Sequence, residues 1–306
     1  MFNIIALTRK DGEVNMDQLI KRENIDFNTF DLGLGGGSLL QVANRTPIQM
    51  MSYIIDCPNG GVIVIDGGNA LKDEAEHLYS LLEKRGRHVD YWFFTHAHRD
   101  HYGALVYLIE NDMLDIKIGK LVYDFPSLEW LETVDSDCAP RFFAAMEKAS
   151  INTVTPKAGE VFECGGIFVE IISGLLDYKD FPNINPTSII FKVHFPKRDV
   201  LFLGDFDKNG EDSFKKTYDV NKLRCDIVQM PHHGQNGITR SFYELIMPKY
   251  CLYTAPDWLW ENNLYGKNDP ETKGKGPFTT LETRRWMEEL GAKESFHLGQ
   301  GDWLFT

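Results

Sequence analysis

The sequence predicts an α/β protein built as a four-layer αββα sandwich. Three observations carry this: short apolar runs rich in β-branched residues, helical apolar stripes that follow some of them, and the return of that alternation in the second half of the chain. With 43% hydrophobic and 12% aromatic residues, the chain can bury a sizeable core, which excludes a disordered class. No repeat, low-complexity linker or Pro/Gly-rich hinge interrupts it, so residues 1–306 read as a single domain.

The elements follow in order. The glycine run Gly33–Gly37 leads into the strand-like Leu39–Ala43 rather than a helix, which excludes a dinucleotide-binding loop. Met51–Cys57 and Val62–Asp66 are apolar and bounded by Pro58-Asn59-Gly60 and Gly67-Gly68, the pattern of a hairpin of buried strands. From Asp73 to Arg85, Ala75, Leu78, Leu81 and Leu82 form a helical stripe that Gly86 stops. Strand Asp90–Thr95 then runs into a His-rich turn and a helix from Gly103. In the second half, Ile167–Ser173, Thr187–Phe195 and Val200–Leu203 read as strands and Asn209–Tyr218 as a helix. Strand Cys225–Met230, helix Arg240–Met247, strand Lys249–Thr254 and helix Thr280–Leu290 follow, with closing strands near Ser295–His297 and Asp302–Phe305. Strand pairs mixed with βα units in both halves give two sheets with helices outside.

The net charge of −13 counts against a long-duplex nucleic-acid partner, which calls for a basic face. Lys273, Lys275 and Arg240 are the candidates for a local positive strip. The cysteines Cys57, Cys138, Cys164, Cys225 and Cys251 are odd in number and form no CxxC pair, so they read as buried, reduced thiols. No stretch approaches the roughly 18 apolar residues of a membrane span. The opening MFNIIALTRKDGEV lacks the apolar core of a signal peptide. A soluble, cytoplasmic protein with no membrane partner is the expectation.

The chemistry concentrates at His96-Ala97-His98-Arg99-Asp100-His101, directly after the strand YWFFT. Imidazole and carboxylate are what zinc takes when thiolates are absent. A turn at a strand end aims residues i and i+2 at one point and residues i+4 and i+5 at a second, so the spacing supplies two ions. Val200–Leu203 continues through Gly204 to Asp205, whose carboxylate is placed to bridge ions about 3.5–4 Å apart. Another apolar strand ends in Pro231-His232-His233-Gly234, where one ring can meet metal and the other substrate.

With these motifs the chain resembles the metallo-β-lactamase superfamily over about residues 30–306, through Asp66, His96, His98, Asp100, His101, Asp205 and His233. The resemblance implies an αββα fold with two metal ions, zinc first, manganese or iron as alternatives, at one edge between the sheets. It makes His233 rather than His232 the ligand, because the family's last histidine precedes a small residue. Many members supply a third histidine to the first metal. Here the stretch holds only His194, inside a strand, and the expected position reads Asn183-Ile-Asn185-Pro-Thr-Ser188. That turn, with PHHG and the early Gly run, looks like the branch containing the nuclease-like domain of late-competence DNA-uptake proteins and the bacterial phosphorylcholine esterases.

The roles implied are a hydroxide nucleophile held by the two ions, with His96 and His98 on one, Asp100, His101 and His233 on the other, and Asp205 on both. His232, or Asn185 with Ser188, would bond a phosphoryl oxygen. Asp66 would support the histidine turn, and Asp207 would orient a ligand. Trp258 and Trp260, in the polar aromatic loop 255–278, are candidates to stack on a substrate, with Asp124–Trp130 as the opposite wall. The function expected is phosphodiester hydrolysis of small molecules or short oligonucleotides. The alternatives are thioester, lactone or β-lactam hydrolysis and, beyond enzymes, a non-catalytic metal-binding protein.

Overall fold

The computed structural model describes residues 27–135 and 139–306. Cys138 lies outside the described residues. Its strands are β1 (Asn28–Phe30), β2 (Ser38–Gln41), β3 (Ser52–Asp56), β4 (Val62–Asp66), β5 (His88–Phe93), β6 (Lys117–Val122), β7 (Thr153–Val154), β8 (Val161–Cys164), β9 (Ile167–Ser173), β10 (Ile190–His194), β11 (Asp199–Phe202), β12 (Ile227–Gln229), β13 (Tyr250–Tyr253), β14 (Glu294–His297) and β15 (Trp303–Phe305). Among the described residues they form one sheet in the order β1-β15-β2-β3-β4-β5-β6-β7 and a second in the order β14-β13-β12-β11-β10-β9-β8. The helices are α1 (Lys72–Glu83), α2 (Arg99–Glu110), α3 (Leu128–Val134), α4 (Ala139–Ala149), α5 (Glu211–Thr217), α6 (Arg240–Ile246), α7 (Asp257–Trp260) and α8 (Thr280–Glu289).

Period-2 alternation sorts the apolar residues into layers. In β4, Ile63 and Ile65 enter the core between the sheets, while Val62 and Val64 pack outward with Leu78, Leu81 and Leu82 of α1. In β11, Val200 and Phe202 face inward, and Leu201 packs outward with Phe214 of α5 and Phe242 of α6. Both faces of the central strands β2–β4 and β11–β12 are largely buried, so those strands read as continuous apolar runs. Phe191 of β10 stacks on Phe202 at 5.4 Å between ring centres. Truncating such a ring to alanine typically costs about 3–5 kcal/mol. The four-layer sandwich is therefore what these strands must build.

The elements not foreseen include helices α3 and α4 and strands β1, β6, β7 and β8, and for two of the strands the cause is plain. Strand β6 carries exposed lysines and β8 is a short edge strand, so neither shows a buried apolar run. Helix α2 begins at Arg99 rather than Gly103, which puts Asp100 and His101 in its first turn. The loop 255–278 contains the short helix α7 and two further helical turns. None of the described helices is long and apolar enough to cross a membrane.

Candidate metal centre

Five strand ends supply the site. The parallel neighbours β4 and β5 deliver Asp66 and the histidine turn, and the parallel β11, β12 and β13 deliver Asp205, His232-His233 and Thr254. After β11 the chain turns at Gly204 with φ +56, and a Cβ there would sit 2.7 Å from that of Thr95. Only glycine lets this turn press against the histidine turn of the other sheet. Asp66, His232 and His233 also take positive φ, at 54°, 51° and 57°. Such conformations cost about 1–3 kcal/mol each and persist where the surrounding packing dictates them.

The donor atoms converge in two overlapping groups: Asp100, His101, Asp205 and His233 in one, His96, His98 and Asp205 in the other, each within 4.8 Å. His96 Nε2 lies 2.9 Å from His98 Nδ1 and 3.8 Å from an Asp205 oxygen. His233 Nε2 lies 3.2 Å from Asp100 and 3.4 Å from Asp205. His101 Nε2 stands 3.2 Å from Asp205 Oδ1, yet the two atoms make no hydrogen bond and both are buried without another partner. Atoms that approach without bonding are aimed at a shared point. Nitrogen and oxygen donors with unspent lone pairs at such a point fit a divalent ion of the zinc type.

The opposite ring edges are already fixed. His101 Nδ1 meets Asp66 at 2.6 Å, and Asp66 in turn accepts from the Thr95 amide and hydroxyl, each at 2.8 Å. His96 Nδ1 meets the Thr95 hydroxyl at 3.1 Å. His233 Nδ1 donates to the Thr254 carbonyl at 3.0 Å. Each contact turns the remaining Nε2 toward the centre and sets which nitrogen carries the proton. Ser188 Oγ accepts from the Asp205 amide at 3.1 Å and holds that carboxylate in place.

Electrostatics show a centre whose buried carboxylates draw positive charge toward it. Burial opposes the ionised form of Asp205, but His233 and His101 hold its pKa well below the usual carboxylate range. Burial likewise opposes charge on His101, and Asp205, Asp66 and Asp100 overcome it, raising that ring far above the ordinary value. His233 is raised to about 9 against burial by Asp205 and by its hydrogen bond to Asp100. Burial lowers both His96 and His98, leaving them neutral, the form that ligates metal.

A cavity of about 600 Å³ opens onto this edge, lined by Pro47, Ile48, Gln49, Asn69, Arg99, Asp135, Trp258 and Gly266 together with His98, Asp100, Asp205 and His232. Trp258 donates its indole N–H to the Pro47 carbonyl at 2.6 Å, tying α7 to the loop on the other wall.

The family model of the metallo-beta-lactamase superfamily matches residues 45–249, more than half of the chain. The chain belongs to that superfamily. Its members are mostly metal-dependent hydrolases, and at that general level this protein is one. Two solved structures share the fold of the chain. The metallo-beta-lactamase fold protein YhfI from Bacillus subtilis is 11% identical, with 87% of this chain and 99% of that one covered and a TM-score of 0.51. CmlA, a diiron beta-hydroxylase from Streptomyces venezuelae, is 15% identical with a TM-score of 0.54 over 86% of this chain. The chain spans 53% of that hydroxylase. No curated protein matches the chain in sequence.

Within this metallo-β-lactamase fold, the candidate residues separate. His96, His98, Asp100, His101, Asp205 and His233 come together, with Asp66 and Ser188 behind them. His232 lines the cavity, and the Asn185 amide lies 3.4 Å from its ring. Asp207 does not reach the cavity: it is buried, receives hydrogen bonds from Asn183 and Asn209, and burial raises its pKa. Trp260 is not a stacking surface for substrate either. Arg284 covers its ring at 3.6 Å, and His297 stacks parallel to it at 4.3 Å. Asp124–Trp130 is not the opposite wall; that wall is Pro47–Gln49 with Asn69 and Asp135. Lys273, Lys275 and Arg240 are held by Glu261, the Glu271 carbonyl and Glu289, so they form no free strip. Thr95 and Thr254 were missed, and only the place of Thr95, last in the strand before the histidines, signalled a role.

Proposed function

We propose that this protein hydrolyses phosphodiesters with two divalent ions, zinc first, held by His96, His98 and Asp205 and by Asp100, His101, His233 and Asp205. The observation that carries the reading is the pair of donor groups sharing Asp205, with His101 Nε2 and Asp205 Oδ1 buried 3.2 Å apart without a hydrogen bond. Two such ions, when bound, would lower the pKa of a bound water toward about 7 and offset charge growing on phosphorus.

The residues do the rest. Asp66, Thr95 and Thr254 hold three imidazoles in the ligating orientation. His232, half-buried on the cavity wall beside Asn185, is placed to give a hydrogen bond or a proton to a substrate oxygen. Trp258 offers the one tryptophan face lining the cavity to an organic arm of the diester. An Asn185-Ser188 turn in place of a further histidine favours phosphorus over carbonyl substrates.

The test is a panel on zinc-replete protein: bis(p-nitrophenyl) phosphate, a p-nitrophenyl thioester and nitrocefin. Preferential cleavage of the phosphodiester is expected. Preference for the thioester or nitrocefin would move the assignment to carbonyl hydrolysis, and no turnover of any of them would point to a binding protein.

A further inference from the structure

Arg99 has no part in the metal centre, yet it lines the cavity beside His98, Asp100 and His232. Among the described lining residues it is the one lysine or arginine. No carboxylate among the described residues pairs with it, although the protein carries 45 acidic residues against 32 basic ones and its other arginines near this wall, such as Arg45, are paired. It also stands in the first turn of α2, where the helix dipole disfavours a cation and the N-cap His98 supplies no side-chain hydrogen bond. The sequence therefore keeps an exposed guanidinium where neither helix energetics nor an ion pair calls for one.

Burial tells where its partner sits. The donor atoms of His96, His101, Asp205 and His233 are buried, whereas Arg99 is exposed at the cavity mouth. The scissile phosphoryl group belongs with the buried donors. The other acid at the mouth, Asp135, has a partner of its own. We propose that Arg99 is a specificity residue that receives a second, terminal oxyanion of the substrate, phosphate or carboxylate, on its planar fork of N–H donors. This rests on the phosphodiesterase reading and narrows it: the preferred diester carries an anionic arm beyond the bond that is broken.

The experiment compares three esters that release p-nitrophenolate: ethyl p-nitrophenyl phosphate, and the same ester with its alkyl arm ending in carboxylate or in phosphate. Wild type is expected to favour at least one anionic arm by tenfold or more in kcat/KM, mainly through KM, and the arm favoured names the oxyanion. Arg99→Gln is expected to erase that preference, and Arg99→Lys, which keeps the charge without the fork, to restore part of it. Zinc content and melting temperature of both variants establish that the centre is intact. No preference in wild type, or an equal preference in Arg99→Gln, overturns the proposal. If no ester is cleaved, the phosphodiesterase reading fails separately. Calorimetric titration of zinc-replete protein with inorganic pyrophosphate then decides on Arg99: tenfold weaker binding in Arg99→Gln upholds the anion site, and equal affinity removes it.

Discussion

Two clusters on the second sheet bring histidine to carboxylate, and only one of them is a site. At the far end of β10, His194 bonds Asp199 through Nδ1 at 2.8 Å and Glu170 through Nε2 at 3.3 Å, half-exposed, with both ring nitrogens spent. At the other edge, His233 and Asp205 join His96, His98 and His101 in a largely buried group in which His101 Nε2 and Asp205 Oδ1 converge without a hydrogen bond. Residue types are the same in both. What separates them is saturation: the first cluster is a closed set of ion pairs, and the second leaves donor lone pairs aimed at an interior point. Other buried polar atoms also lack a hydrogen bond, such as the Tyr243 and Tyr253 hydroxyls. Only here, among the described residues, do three or more imidazole and carboxylate donors gather within 4.8 Å of one another, and that convergence calls for an ion.

The contrast breaks most readily at Asp205. Asp205→Asn is expected to lower kcat/KM on bis(p-nitrophenyl) phosphate by about a thousandfold or more, because one carboxylate serves both donor groups. His194→Ala is expected to stay within a few-fold of wild type. Equal losses in two folded variants would erase the distinction between the clusters.

A second pair of histidines sharpens it through pH. His297 lies between Trp260 and β13, and burial first, then the like charge of Arg284, lowers its pKa to about 4, with Glu261 opposing. A depressed histidine is neutral when folded, so stability is whole above about pH 6.5 and lost as pH falls toward 4. The loss is on the order of 3 kcal/mol at most. Melting curves of His297→Gln should lack that part of the acid limb; an unchanged limb would place the loss elsewhere.

The turn that joins the sheets comes next in size. Gly204→Ala is expected to destabilise the fold by about 2 kcal/mol and to weaken zinc binding, since φ +56 and the approach of Thr95 leave no room for a methyl group. Denaturant midpoints and zinc titration check both effects. The smallest effect belongs to His194, whose pKa is raised by its hydrogen bond to Asp199 and then by Glu170. A raised histidine stabilises below about pH 6.5 and loses that contribution as pH climbs through its folded value. His194→Gln should therefore cost about 0.2–1 kcal/mol at pH 5.5 and progressively less as pH rises above about 6.5, the reverse of His297.

Much of the fold was legible because buried strands such as Val62–Asp66 and Ile167–Ser173 announce themselves as apolar β-branched runs. The ligands were legible for a different reason: HxHxDH is local, and one strand end with the first turn of α2 positions all of it. Orientation was not legible. Thr254 reaches His233 only because β12 and β13 lie side by side, a relation with no trace in local spacing. Trp258 and Trp260 differ by two positions, which on a helix point to different sides. One lines the cavity and the other is sandwiched between Arg284 and His297. Strand β6 escaped because its lysines hide the period that buried strands display.

Calorimetric titration of metal-depleted protein with zinc tests the central claim most directly. Two ions per chain are expected for wild type, with both sites weakened together in Asp205→Asn and neither altered in His194→Ala. Binding of no zinc, or a stoichiometry that Asp205→Asn leaves intact, would contradict a two-ion centre built around Asp205.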